Sequence, residues 1–432
     1  MPSPAPPFGP LVETIDITEL SKPAMQFEAS ARVTDCKLVA SYNWLDRAAP
    51  SVLIPGAPPK WTPLLERRRL LEDSGVYYRD KNAARYPAHP MEPAAQATLT
   101  MHPEPLTKPV DIVACGSTIG NLLRFVRGDE RPFRMLVEVV AGAVHLIRRE
   151  NSPTETIPSV RGFGHTFPEA YTTWDASARG SASHQRVLRY DFGGLSCIVR
   201  HEGDGYLQDK VGPSSNAARP VGHEKGSVDA LIEGLGASEV NSKIPRQSSQ
   251  LRLQSGGFQV PQSAVFDLKT RSMFRKGKDF LAEELPRLWV AQTPNFILAY
   301  HERGVFTEID VMDASEEVKT WEKSMNRELS QLAALLHRIV GLARASQGGR
   351  LELRRQALST LDVREQCPGL SPAFSVDVMA RWKAWLASDV KSEVSDDGDK
   401  QKEEEDEFSW SVGDDNYTAC SEECSYCGKC TY

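Results

Sequence analysis

The chain has 432 residues, 40% of them apolar, and a formal net charge of −7. A chain of this length and apolar content buries one large core or two moderate ones, which excludes a wholly disordered or fibrous protein. Residues 389–407 hold ten acids against three bases and so carry the whole net charge, leaving a near-neutral body; bulk charge therefore does not mark a nucleic-acid binder. No apolar run approaches the roughly 20 residues that cross a bilayer, and the opening MPSPAPPFGP lacks the basic and apolar regions of a secretory signal. The expectation is a protein without membrane contact inside the cell, nuclear or cytoplasmic. Cys36, Cys115, Cys197 and Cys367 are scattered, as reduced core thiols are.

In chain order, residues 1–22 are proline-rich and are expected to be disordered. Residues 23–387 are read as one domain, beginning with an extended segment from Val33 to Trp44 and an irregular connection through Pro50, Pro55, Pro58, Pro59 and Pro63. Residues 110–127 suit a strand leading into a short helix, and 136–147 a hairpin about Gly142, in which Glu138 reads as an ordinary face residue. Residues 161–173, with His165 and Glu169, suit a turn meeting a helix. A strand from Leu195 ends in Glu202 and Asp204, and 208–257, rich in Gly, Ser, Asn and Pro, reads as a flexible insertion. The stretch Ala264–Ser272 is a strand carrying Asp267 and Lys269, and Leu288–Pro294 leads into a buried strand, Asn295–Tyr300. Asp313 with Glu316 forms a capping box that opens one long amphipathic helix from Val318 to Leu342. A strand at Leu351–Leu353 and a helix at Val376–Leu386 close the domain. An acidic linker (388–415) and a cysteine-rich tail (416–432) follow.

Two patterns carry chemistry. Residues two apart in a strand share a face, so a sheet pairing the two acid-bearing segments gathers Glu202, Asp204, Asp267 and Lys269. Carboxylates held about 4 Å apart repel by roughly 4 kcal/mol at an effective dielectric near 20, so such a cluster needs a cation or a shared proton. Oxygen ligands favour Mg²⁺ or Mn²⁺ over zinc, and the amine suits a phosphate or an attacking water. A lone Asp-x-Lys in a strand is more commonly a solvated edge. In the tail, Cys420, Cys424, Cys427 and Cys430 have spacings that suit Zn²⁺ or an iron-sulfur cluster; the bland alternative is a redox-labile tail.

Four stretches in order, Gly164–Glu169, His201–Asp204, Val265–Thr270 and Trp289–Gln292, together with Ile119–Leu123, resemble the RNA 5′-end decapping nucleases, a branch of the PD-(D/E)XK fold. The resemblance spans most of residues 30–385. It implies an α+β fold with a mixed central β-sheet flanked by helices. It also implies a metal-dependent hydrolase that removes a cap or 5′ phosphates from RNA, with a 5′-3′ exonuclease activity open. Implied metal ligands are Glu202, Asp204, Asp267, the Leu268 carbonyl and Glu169; Lys269 and Gln292, with Glu202, are the implied catalytic residues. RNA 5′ ends and an exoribonuclease or other protein are the implied partners. Two positions depart from the pattern: Gly116 stands where the family has an arginine, and Pro168 where it has an acid, with Glu169 one residue late. The rival readings are a catalytically weakened RNA- or protein-binding scaffold of the same fold and, more remotely, a prenyl diphosphate synthase.

Overall fold

The computed structural model describes residues 3–212 and 250–387. Residues 213–249 of the expected insertion, the acidic linker and the four tail cysteines lie outside the described residues. Among the described residues the strands form two sheets. The larger runs β1 (Leu11–Asp16), β17 (Thr360–Glu365), β16 (Arg350–Arg355), β6 (Phe133–Val140), β7 (Ala143–Arg149), β5 (Ile112–Cys115), β10 (Leu195–Gly203), β9 (Ser181–Phe192), β2 (Val33–Leu45), β3 (Ser51–Gly56) and β12 (Arg252–Gly257). The smaller runs β15 (Val305–Asp313), β14 (Asn295–Glu302), β13 (Val265–Ser272), β11 (Gly205–Tyr206), β4 (Lys60–Trp61) and β8 (Thr172–Thr173). Single-turn helices sit at α1 (Ser21–Ala24), α2 (Lys81–Arg85) and α5 (Thr166–Tyr171). The longer ones are α3 (Glu92–Met101), α4 (Gly116–Val126), α6 (Phe280–Ala291), α7 (Ser315–Ser324), α8 (Asn326–Ala345) and α9 (Val376–Leu386).

The central strands of the larger sheet are apolar on both faces because helices cover both. On one face Leu188, Cys197 and Val199 pack with α4, α8 and Trp289 of α6. On the other, Val113, Val187 and Ile198 pack with α3 and α9 through Ala95, Leu99, Trp382 and Trp385. The fold is thus α+β with mixed sheets flanked by helices, as the sequence led us to expect, and its strand-rich body rules out the all-helical prenyl synthase.

The two acid-bearing strands do not pair in one sheet. β10 belongs to the larger sheet and β13 to the smaller; the chain changes sheet at Asp204, where β10 gives way to β11, which pairs antiparallel with β13. Gly205 permits the change, since a Cβ there would lie 2.3 Å from the Phe266 ring. Two further expectations are corrected. Much of residues 1–22 is ordered: Leu11–Asp16 hydrogen-bonds along β17, Ile15 is fully buried, and Phe8 lies under the guanidiniums of Arg134 and Arg354 at 4.1 and 3.9 Å. The single long helix is two, α7 and α8, broken at Met325 (φ −97°, ψ 18°). The α6 helix was not foreseen. Among the described residues no helix is long and apolar enough to cross a membrane.

Candidate active site

A cleft of about 340 Å³ opens where the two sheets meet. Its acidic pole is assembled by β10, β13 and α6. Asp204 is fixed at the junction by accepting the Leu268 backbone N–H through Oδ2 at 2.8 Å. Asp267 and Lys269, two apart on β13, line the same cleft and are both buried. Arg287 of α6 donates to Asp267 Oδ1 and, through Nε, to the buried Glu284 at 2.9 Å. Glu284 also lies 4.0 Å from the Lys269 amine. Loss of hydration, reinforced by the Asp267 charge, pushes the Asp204 carboxyl up to about 7, although Arg287 and Lys269 pull the other way. Asp204, Asp267 and Lys269 thus line one cleft.

The remaining sequence-derived residues are placed differently. Glu202 is exposed at the mouth, where its carboxylate holds the Lys81 amine at 2.7 Å. Leu268 lines the cleft through its place between Asp267 and Lys269. Glu169 lines the same cleft from α5, its carboxyl pushed up by burial and by Asp73, which caps α5 by accepting the N–H groups of His165 and Thr166. Gln292 ends α6 in the left-handed region (φ 48°), and its amide turns back onto the Trp289 carbonyl at 2.5 Å; Val290 and Ala291 line the cleft instead. Residues the sequence reading missed are Arg287 and Glu284, which share one helix face at i, i+3, and His201. The His201 Nδ1 meets the Glu202 carbonyl at 3.1 Å, and burial followed by Arg186 lowers its pKa to about 3, so the imidazole is neutral.

Arg79, Lys81, Arg148 and Arg200 also line the cleft, with Asp80, near the start of α4; of these, Lys81 pairs with Glu202 and Arg148 with Glu150.

A family described as Domain of unknown function (DUF8563) matches residues 16–351. The chain belongs to this family. No curated protein matches it in sequence. Among solved structures, Rai1 of Scheffersomyces stipitis in complex with (3′-NADP)⁺ and calcium ion is similar over 88% of this chain and 99% of its own, at a TM-score of 0.55 and 9% identity. Rai1 of S. pombe is similar over 82% and 99%, at 0.52 and 11%. A mutant S. pombe Rai1 in complex with 3′-FADP gives 0.51 and 10%, over 82% and 99%. This DUF8563 chain therefore has the Rai1 fold, the fold implied by its resemblance to the decapping nucleases.

The S. stipitis Rai1 complex holds a calcium ion, and a divalent ion of that kind is bound by clustered oxygen donors. Among the described residues no three His, Cys, Asp or Glu side chains stand together as a finished cage. What stands together is a crowded carboxylate pair, Asp204 and Asp267, with Glu202 close enough to raise Asp204 further. An oxygen-only pair of this kind fits Mg²⁺ or Mn²⁺, which bind through one or two carboxylates and keep water and substrate oxygens as their other ligands; it does not fit zinc.

Proposed function

We propose that the protein is a metal-dependent phosphohydrolase acting at RNA 5′ ends, releasing a cap or 5′ phosphates. The observation that carries this reading is the convergence of Asp204, Asp267 and Lys269 in one cleft at the sheet junction of a Rai1 fold. The nucleotide and calcium ion in S. stipitis Rai1, and the 3′-FADP in the S. pombe mutant, support a nucleotide end and a divalent cation as the ligands. Asp204 and Asp267 would hold the ion, with the Leu268 carbonyl and Glu202 as candidate further donors. When bound, the ion supplies charge stabilisation at phosphoryl oxygens and an acidified water. Lys269, buried and lined up with Asp267, binds a phosphoryl oxygen, and Arg287 holds Asp267 in position. Gln292 acts only after its side chain leaves the Trp289 carbonyl. Partner binding and a location inside the cell belong to the same proposal.

The test is release of product from RNAs bearing a triphosphate, an unmethylated cap or an NAD 5′ end, with Mn²⁺ present. Wild type is expected to release product, and Lys269→Ala to fall by about 10²-fold or more. No release by wild type, or equal release by Lys269→Ala, overturns the reading. RNA or protein binding that persists without turnover identifies the non-catalytic scaffold instead.

A further inference from the structure

The acids of the cleft are already served by a cation of the chain itself. On α6, Glu284 and Arg287 stand three apart on one helix face, and the Arg287 side chain reaches on to Asp267 of β13. Its donors are divided between two acids: Nε donates to Glu284 Oε2 at 2.9 Å, and Nη2 donates to Asp267 Oδ1. The same charge acts on Asp204. One guanidinium therefore sits among three carboxylates, two of which, Asp204 and Asp267, are the acids that would hold a divalent ion.

Nε and Nη2 form the edge of a guanidinium that can grip a single carboxylate bidentately. Here that edge is split, and the consequence shows at Glu284. Its side chain is 1% exposed, and among the described residues its Oε1 accepts no hydrogen bond. Arg271 lies 3.5 Å from that oxygen, but its Nη1 donates to the Thr270 carbonyl at 3.0 Å and its guanidinium rests over the Phe280 ring at 4.8 Å. A buried carboxylate oxygen without a donor is costly. This oxygen belongs to the acid that Arg287 already holds through Nε, so a small turn about that bond carries Nη2 from Asp267 Oδ1 to Glu284 Oε1.

We propose that Arg287 is a resident counter-cation of the metal site: without metal it occupies Asp267, and loading of the site transfers its Nη2 to Glu284, which receives the guanidinium as a bidentate pair. Two cations crowded onto Asp204 and Asp267 repel strongly, so the affinity for a divalent ion is set by how readily Arg287 leaves Asp267. Glu284 is the positioning residue that receives it. This regulation of the site rests on the metal-dependent reading.

The test is Mn²⁺ binding by full-length, metal-free protein without RNA, followed by loss of the paramagnetic resonance signal of free Mn²⁺. Arg287→Met keeps the aliphatic stem and removes the charge, and should bind Mn²⁺ about tenfold or more tightly than wild type. Arg287→Lys keeps the charge and should show no such gain. Glu284→Gln takes away the charged acceptor and should weaken binding about tenfold. In the Arg287→Met background the same Glu284 change should matter far less, because Glu284 acts through Arg287. A clamp that only positions Asp267 requires the opposite sign, so an Arg287→Met protein that binds Mn²⁺ no more tightly than wild type overturns the proposal. If Arg287→Met does not fold, Arg287→Gln, which keeps a donor for Glu284, is held to the same criterion. An equal effect of Glu284→Gln in both backgrounds overturns the transfer to Glu284. Binding by Arg287→Met with none by wild type keeps Arg287 as the counter-cation and overturns the metal-dependent reading; binding by neither overturns both. Tighter binding by Arg287→Met in a protein that hydrolyses no RNA end overturns the enzymatic reading alone, whereas hydrolysis with no gain in Arg287→Met overturns the counter-cation alone.

Discussion

Asp204 is under opposing demands. Its Oδ2 is needed by the Leu268 N–H at the point where the chain changes sheet, yet its charge is unwelcome there, because it is half-buried and faces Asp267. A carboxyl raised from 3.8 to about 7 in the fold costs nothing below about pH 4 and weakens the fold progressively up to about pH 7, above which the penalty is complete. Asparagine keeps an acceptor for Leu268 and removes the charge. Asp204→Asn should therefore be more stable than wild type without metal at pH 8, by on the order of 2 kcal/mol, and equal to it near pH 4. Urea unfolding at the two pH values measures this. Adding Mn²⁺ should stabilise wild type and not the variant. A metal-free variant that is less stable at pH 8 would show that the charge at Asp204 is a structural asset and not a cost carried for a ligand.

Among the elements, α9 shows how a local pattern and a long-range contact divide the work. Its bounds at Val376 and Leu386 were legible because Val378, Trp382 and Trp385 recur at helical spacing, but what they dock against was not. In the structure the two tryptophans stack at 4.8 Å, and Trp382 Nε1 donates to His145 Nε2 at 2.9 Å while His145 Nδ1 faces the Ala143 carbonyl. Burial holds His145 neutral, with its pKa lowered to about 4. The unfolded chain takes up the proton below about 6.5 and the fold only below about 4, so this stability is complete above pH 6.5 and is lost as the pH falls toward 4. Between pH 7 and pH 5 His145 should account for a loss of about 2 kcal/mol. Tryptophan-monitored urea unfolding should give a shallower pH slope in His145→Gln; an unchanged slope would remove His145 as the cause. By contrast, α6 was missed because Pro286 interrupts its interior and its apolar residues nearly surround it, and with it went Glu284 and Arg287. The stripe from Val318 to Leu342 ran on through Met325, so periodicity alone could not reveal the break between α7 and α8.

At the scale of the whole molecule, sheet membership was the part the sequence could not show. Each acid-bearing strand was legible from its own β-branched and apolar run, but their assignment to different sheets depends on Gly205 lying against Phe266, a contact far apart in sequence. The amino-terminal segment was misread for a related reason. Its prolines are those of a disordered chain, yet Leu11–Asp16 pairs along β17 and covers the open edge of the larger sheet. Removing residues 1–16 would strip a fully buried Ile15 and the Phe8 ring from the guanidiniums of Arg134 and Arg354. One buried isoleucine and a cation–π cluster are together worth about 3 kcal/mol, before the strand's own hydrogen bonds are counted. The deletion also leaves β17 as an uncovered edge with unpaired backbone groups, a template for strand pairing between molecules. The truncated protein should thus unfold at markedly lower urea and associate with rising concentration, seen by light scattering. Removing residues 1–5 should change neither property, because Phe8 and β1 remain. A monomeric truncated protein with the wild-type midpoint would mean that β1 only rests on the sheet and does not complete it.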